Sequence, residues 1–126
     1  ECGGFMYLQE TLEGADGKLY RMAGVIPGRC FRTERLGRFG YITLKALEGG
    51  LLCPEGSELK AHEFHYWDSE HCGESFLAVK PDGSRSWKCG IMTDDMYAGF
   101  PHLFYYDSPK AAMRFVHACA GRRKSL

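Results

Sequence analysis

The sequence predicts an α/β fold in a single unit, and three observations carry that prediction. Its 126 residues suit one domain at the usual ~100 to 200 residues each. Stretches with helical spacing and helix start or stop signals lie at both ends of the chain. Between them run short segments rich in aromatic and β-branched residues, divided by glycine and proline turns.

The elements follow in order. Phe5, Leu8 and Leu12 at i, i+3 and i+7, closed by Gly14, predict a helix over 3–13 with Cys2 at its N-terminus. Gly14 to Gly17 is a turn, and Tyr20 to Gly28 reads as irregular chain or a short extended piece. Alternating Phe39, Tyr41 and Thr43 predict a strand over 38–47. A second strand over 58–67 places Leu59, Ala61, Glu63, His65 and Trp67 on one face and His62, Phe64 and Tyr66 on the other. Segments 75–79 and 86–92 flank Pro81-Asp82-Gly83-Ser84 and form a hairpin. Residues 96–106 form one more extended piece. Ser108-Pro109 then starts a helix whose apolar face is Ala112, Phe115, Val116 and Cys119, followed by the basic tail Arg122-Arg123-Lys124.

Composition excludes several roles. Sixteen basic and sixteen acidic residues leave zero formal net charge, so no global field favours nucleic acid or an anionic membrane surface. The longest run without a formal charge, 96–106, falls short of the ~20 apolar residues that cross a bilayer. The six cysteines at 2, 30, 53, 72, 89 and 119 are dispersed. Free thiols in a reducing cytoplasm are expected, with a three-disulfide secreted scaffold as the alternative. Because the first residue is Glu1 and a motif starts at once, the polypeptide is expected to continue upstream.

Cys2 carries the chemistry. A thiol before two glycines and a helix suits a sharp elbow, where free N–H groups and the helix dipole lower its pKa and the Gly3 N–H can serve an oxyanion. An incidental cysteine is the bland alternative. His102 lies in the apolar run Gly99-Phe100-Pro101-His102-Leu103-Phe104, an expensive place for a histidine used only for packing, although a satisfied core histidine is the other reading. His117 needs no role beyond the end of its helix. Glu63 and His65 share a strand face and could offer a carboxylate-imidazole pair. No metal site is expected, since His62, His65, His71 and Cys72 lack a Cys-x2-Cys partner and split between faces. Neither a phosphate loop nor a dinucleotide turn is present.

Three motifs in this order resemble the cobyrinic acid a,c-diamide synthase family: Glu1-Cys2-Gly3-Gly4-Phe5-Met6-Tyr7-Leu8; Arg38-Phe39-Gly40-Tyr41-Ile42-Thr43-Leu44 with His62-Glu63-Phe64-His65-Tyr66; and Phe100-Pro101-His102-Leu103-Phe104. The chain is similar to the C-terminal part of that family's glutamine amidotransferase domain, over nearly its whole length. The resemblance implies a three-layer, flavodoxin-like class I amidotransferase fold with a mixed sheet, 1–126 being one partial glutaminase domain. It implies Cys2 as the nucleophile on glutamine, His102 as its acid and base, and Glu63 and His65 as a supporting shell. No cofactor is expected in this segment. ATP and Mg2+ belong to an upstream synthetase domain, which uses the ammonia to amidate acetate side chains of a tetrapyrrole.

The sequence departs from the family pattern at several places. Many enzymes of this class add a carboxylate two residues after the histidine, where Phe104 stands here, so the resemblance implies a Cys-His pair without its usual orienting acid. A second histidine common in the family is also replaced by Phe104, Pro101 precedes the base, and Ala61 and Trp67 replace smaller residues. Alternatives are a related cobyric acid or nickel-sirohydrochlorin amidating synthase, or a non-catalytic docking module on the same fold. An unpaired sheet edge left by absent upstream strands would favour a homo-oligomer.

Overall fold

The computed structural model describes residues 1–123, so Lys124 of the basic tail lies outside the described residues. Helix α1 (Gly3–Leu8) is followed by β1 (Thr11–Glu13), β2 (Leu19–Arg21), β3 (Arg29–Arg32), β4 (Phe39–Ala46), β5 (Glu58–Phe64) and β6 (Trp67–Ser69). Then come β7 (Phe76–Val79), β8 (Ser86–Cys89), β9 (Ile91–Met92), β10 (Tyr97–Ala98), β11 (His102–Leu103) and helix α2 (Pro109–Arg123). An antiparallel sheet has the order β11-β5-β4-β7-β8, and a mixed sheet has the order β2-β1-β3-β6, in which β1 and β3 run parallel. The fold is α/β with a mixed sheet and few helices, strands outweighing helices between the two ends.

The larger sheet is built by alternation. On β5 the exposed residues Glu58, Lys60, His62 and Phe64 interleave with buried Leu59, Ala61 and Glu63. Opposite them, β4 buries Ile42, Leu44 and Ala46 in the same core as Phe76, Ala78, Cys89 and Met92. The β7–β8 hairpin forms around the predicted turn, with Gly83 at φ 70° and the Ser84 N–H donating to Asp82 Oδ1 at 3.0 Å. A second cluster joins Phe5 of α1 to Ile26, Cys30, Ala98 and Phe100. It is this smaller cluster that seats the start of the chain.

Four expectations need correction. The first helix stops at Leu8, and Thr11–Glu13 form β1 instead, because strand pairing to β2 and β3 outweighs a short helix. Leu12 packs on the Phe5 cluster either way, so its helical spacing was ambiguous. Trp67 leaves the β5 face and opens β6 in the other sheet; a 2.6 Å bond between His65 Nδ1 and the Trp67 carbonyl accompanies the bend. The extended piece over 96–106 divides into β10 and β11 around Gly99-Phe100-Pro101. Finally, α2 turns Ala111 and Ala118 inward while Phe115, Val116 and Cys119 stay exposed. Arg114 sets that rotation by donating to the carbonyls of Gly50 (2.7 Å) and Leu51 (3.3 Å).

Two backbone approaches are close, and the one at Gly73 admits only glycine. A Cβ on Gly73, which has φ 81°, would lie 2.2 Å from the Gly90 carbonyl oxygen, and one on Gly99 would lie 3.2 Å from the Gly90 Cα. These contacts stack three chain segments and aim the Gly99 carbonyl at the N-terminal residues.

Candidate active site

Cys2 is the one described non-glycine residue with a positive φ, at φ 46° and ψ −105°. Such a conformation costs an L-residue about 1 to 3 kcal/mol and has to be held from outside. The Cys2 N–H donates to the Gly99 carbonyl at 2.8 Å, and the Cys2 carbonyl accepts from the Met6 N–H at 2.9 Å. Phe5, one turn into α1, is fully buried with its ring edge-on to Phe100 at 5.0 Å. Half of the turn is therefore pinned by hydrogen bonds and half by packing, with the thiol at its apex.

Burial raises the Cys2 pKa, and the Gly3 N–H beside the sulfur offsets this only in part. The expected lowering is thus corrected: a six-residue helix offers too little field to outweigh desolvation. A thiol in this state needs a base. Burial and the neighbouring His62 lower the His102 pKa, with Glu1 acting in the opposite direction, so the imidazole is neutral and able to accept a proton near pH 7.

His102 opens β11 and pairs directly with His62 of β5, and the two rings stack at 4.9 Å and 14°. Both therefore occupy the outer face of the sheet, with the His102 side chain about one-third exposed. Tyr41 continues the same row on β4. Residues 1–2 and 99–103 are tied twice: by the Cys2 N–H to Gly99, and by Glu1, whose Oε1 accepts the Leu103 N–H at 3.3 Å and the Tyr105 hydroxyl at 3.0 Å. Cys2 and His102 thereby belong to one joined corner of the fold.

Glu63 and His65 lie on the other side of β5. The Glu63 side chain is fully buried, with Oε2 2.8 Å from His65 Nε2 and 3.4 Å from Arg38 Nε, and Oε1 accepting from Trp87 Nε1 at 3.1 Å. His65 stacks face to face on Phe100 at 3.9 Å, and Phe100 meets Phe5. The pair thus reaches the site through two aromatic rings, supporting the floor under α1 instead of facing His102.

Two residues at the site were not singled out from the sequence. Arg38 joins Glu63 to Asp68 at 2.5 Å, contacts the Cys72 sulfur at 3.4 Å and lies 5.7 Å above the Phe100 ring. An arginine at the start of an aromatic strand gives no sequence signal for this. The Glu1 carboxylate lies 3.8 Å from His102 Nδ1, and its signal was only adjacency to the thiol. Burial drives the Cys30 and Cys89 pKa values up to about 11 and about 12, so those thiols are inert beside Cys2. Among the described residues no three His, Cys, Asp or Glu side chains converge as a metal site, and no helix is long and apolar enough to cross a membrane.

Residues 1–109 match the family model of the CobB/CobQ-like glutamine amidotransferase domain. Curated relatives named cobyrinate a,c-diamide synthase include that of Caldanaerobacter subterraneus subsp. tengcongensis, 32% identical over 95% of this chain and 27% of the relative. The Salmonella typhimurium enzyme is 34% identical over 94% of this chain and 27% of its own length. That of Fusobacterium nucleatum subsp. nucleatum is 39% identical over 87% of this chain and 24% of its own length. The chain thus spans about a quarter of the curated relatives it matches. With a match over 1–109 and a positive-φ cysteine at the first helix, the chain belongs to the CobB/CobQ-like glutamine amidotransferase domain family.

Proposed function

We propose that this chain hydrolyses the side-chain amide of glutamine and supplies the ammonia for ATP-dependent amidation of a tetrapyrrole, the a- and c-acetate groups of cobyrinic acid. The observation that carries the reading is Cys2, held at φ 46° against its own steric preference and joined to the His102 strand. Strain of this kind persists where the presented side chain has work to do.

The chemistry follows from the two groups. Cys2 Sγ attacks the amide carbon while its proton passes to His102, and the oxygen that becomes negative is placed to accept the Gly3 N–H. The C–N bond breaks, His102 returns the proton, and ammonia leaves. Water then hydrolyses the thioester to glutamate and regenerates the thiol. The Phe100–Phe104 change motivates a docking-module reading, but it leaves His102 in register on β11, which favours catalysis. No phosphate loop occurs among these residues, so ATP and Mg2+ do not fit this segment and belong to a synthetase partner segment. Six free thiols suit a reducing cytoplasm.

Labelling of the full polypeptide by a glutamine-mimicking electrophile tests the reading. Label confined to Cys2, blocked by glutamine and slowed in His102→Ala, is the expected result. A folded protein that takes no selective label at Cys2 would return the docking-module reading to first place.

A further inference from the structure

Phe104 stands two residues after His102, where many enzymes of this class carry the acid, and it is exposed with its ring against Tyr106 at 6.1 Å. A carboxylate nonetheless lies beside the histidine. Glu1, immediately before the thiol in sequence, has one oxygen fixed by the Leu103 N–H at 3.3 Å and the Tyr105 hydroxyl at 3.0 Å. Its other oxygen is directed at His102 Nδ1, 3.8 Å away. Two donors, one on the strand that carries the base and one in the turn that follows it, thus hold the acid against that base.

We propose that Glu1 is the positioning residue for His102, replacing from the nucleophile's own turn the orienting acid absent from position 104. This rests on the glutaminase reading above. With Nδ1 turned toward Glu1, Nε2 is the nitrogen left to take the Cys2 proton. When His102 becomes imidazolium, the carboxylate closes on the Nδ1–H and stabilises the charge; such contacts are often long before substrate binds. The proton stays on His102, and Glu1 itself neither gains nor loses one. Tyr105 serves as a second anchor, its own ionisation suppressed by burial and by the Glu1 charge. The other groups bearing on the His102 charge are His62 of β5 and His65 beyond it.

Glu1→Gln in the full polypeptide tests this, because the amide oxygen can still accept from Leu103 and Tyr105 while the charge is gone. Glutamine-dependent kcat is expected to fall about 10- to 100-fold with KM unchanged, the size seen when an outer partner of a working group is removed. The acid limb of kcat/KM is expected to move to lower pH, since Glu1 acts to raise the His102 pKa. Ammonia-dependent synthesis should stay at the parent level, and Glu1→Asp should restore the acid limb. An unchanged kcat and acid limb in Glu1→Gln, with Cys2→Ala and His102→Ala both inactive on glutamine, overturns the positioning role and leaves the glutaminase reading standing. Glutamine hydrolysis surviving in Cys2→Ala overturns that reading instead. Should Glu1→Gln not fold, Tyr105→Phe removes one anchor and keeps the charge: a several-fold loss of kcat supports the role, and no change overturns it.

Discussion

Residues 62 and 63 are consecutive on β5 and belong to two different environments. His62 looks outward, stacked on His102 beside solvent. Glu63 looks inward, with both oxygens occupied by His65, Arg38 and Trp87 and no exposed surface. A buried carboxylate in that condition is costly to disturb, whereas an exposed histidine on the open face can be replaced at little structural cost. The strand therefore separates two environments within one residue step: its inner face is locked in an ion network, and its outer face stacks on His102 beside solvent.

That division can be broken from either side. His102→Ala on the outer face should lower glutamine-dependent kcat about 10²- to 10⁴-fold while leaving the melting curve nearly unchanged. A large loss of stability in that variant would show that the outer face is structural after all. Glu63→Ala on the inner face should destabilise the fold by about 3 to 5 kcal/mol, because Arg38 and His65 lose a buried partner. Urea unfolding measures it, and a change below about 1 kcal/mol would sink the contrast.

Two smaller effects sharpen the comparison. Cys2→Gly removes the nucleophile and the backbone strain together, so it should abolish glutamine hydrolysis yet stabilise the protein by about 1 kcal/mol. Thermal unfolding that shows a loss would mean that the thiol's packing outweighs the strain. His62→Phe keeps a stacking ring and removes a group that lowers the His102 pKa. The sign is then fixed: His102 binds its proton more readily, and the acid limb of kcat/KM should move to higher pH. No movement, or movement downward, would show that the two rings do not couple.

Much of the larger sheet was legible because alternation on β4 and β5, and the Pro81–Ser84 turn, are local signals with one reading each. Leu12 shows where that fails: a residue that touches the Phe5 core from either a helix or a strand carries no information about which it is in. On α2 two apolar sets share the same period, and only the Arg114 bonds to distant carbonyls choose between them. At the site, Cys2 and His102 could be named from residue type and motif. So could Glu63 and His65, as a supporting shell, but Glu1 and Arg38 could not. Glu1 acts across a sequence separation of about one hundred residues, and Arg38 acts through an ion network that no local pattern records.

The glycine stack has a further consequence for genetics. Gly73 meets Gly90 and Gly90 meets Gly99 by bare backbone, and the Gly99 carbonyl holds the Cys2 amide. In a saturation library scored separately for growth on glutamine and on ammonia, Gly73 should behave as a remote allele of the nucleophile. Alanine there adds one methyl group far along the chain, and it reaches the thiol as a shift in the carbonyl that seats it.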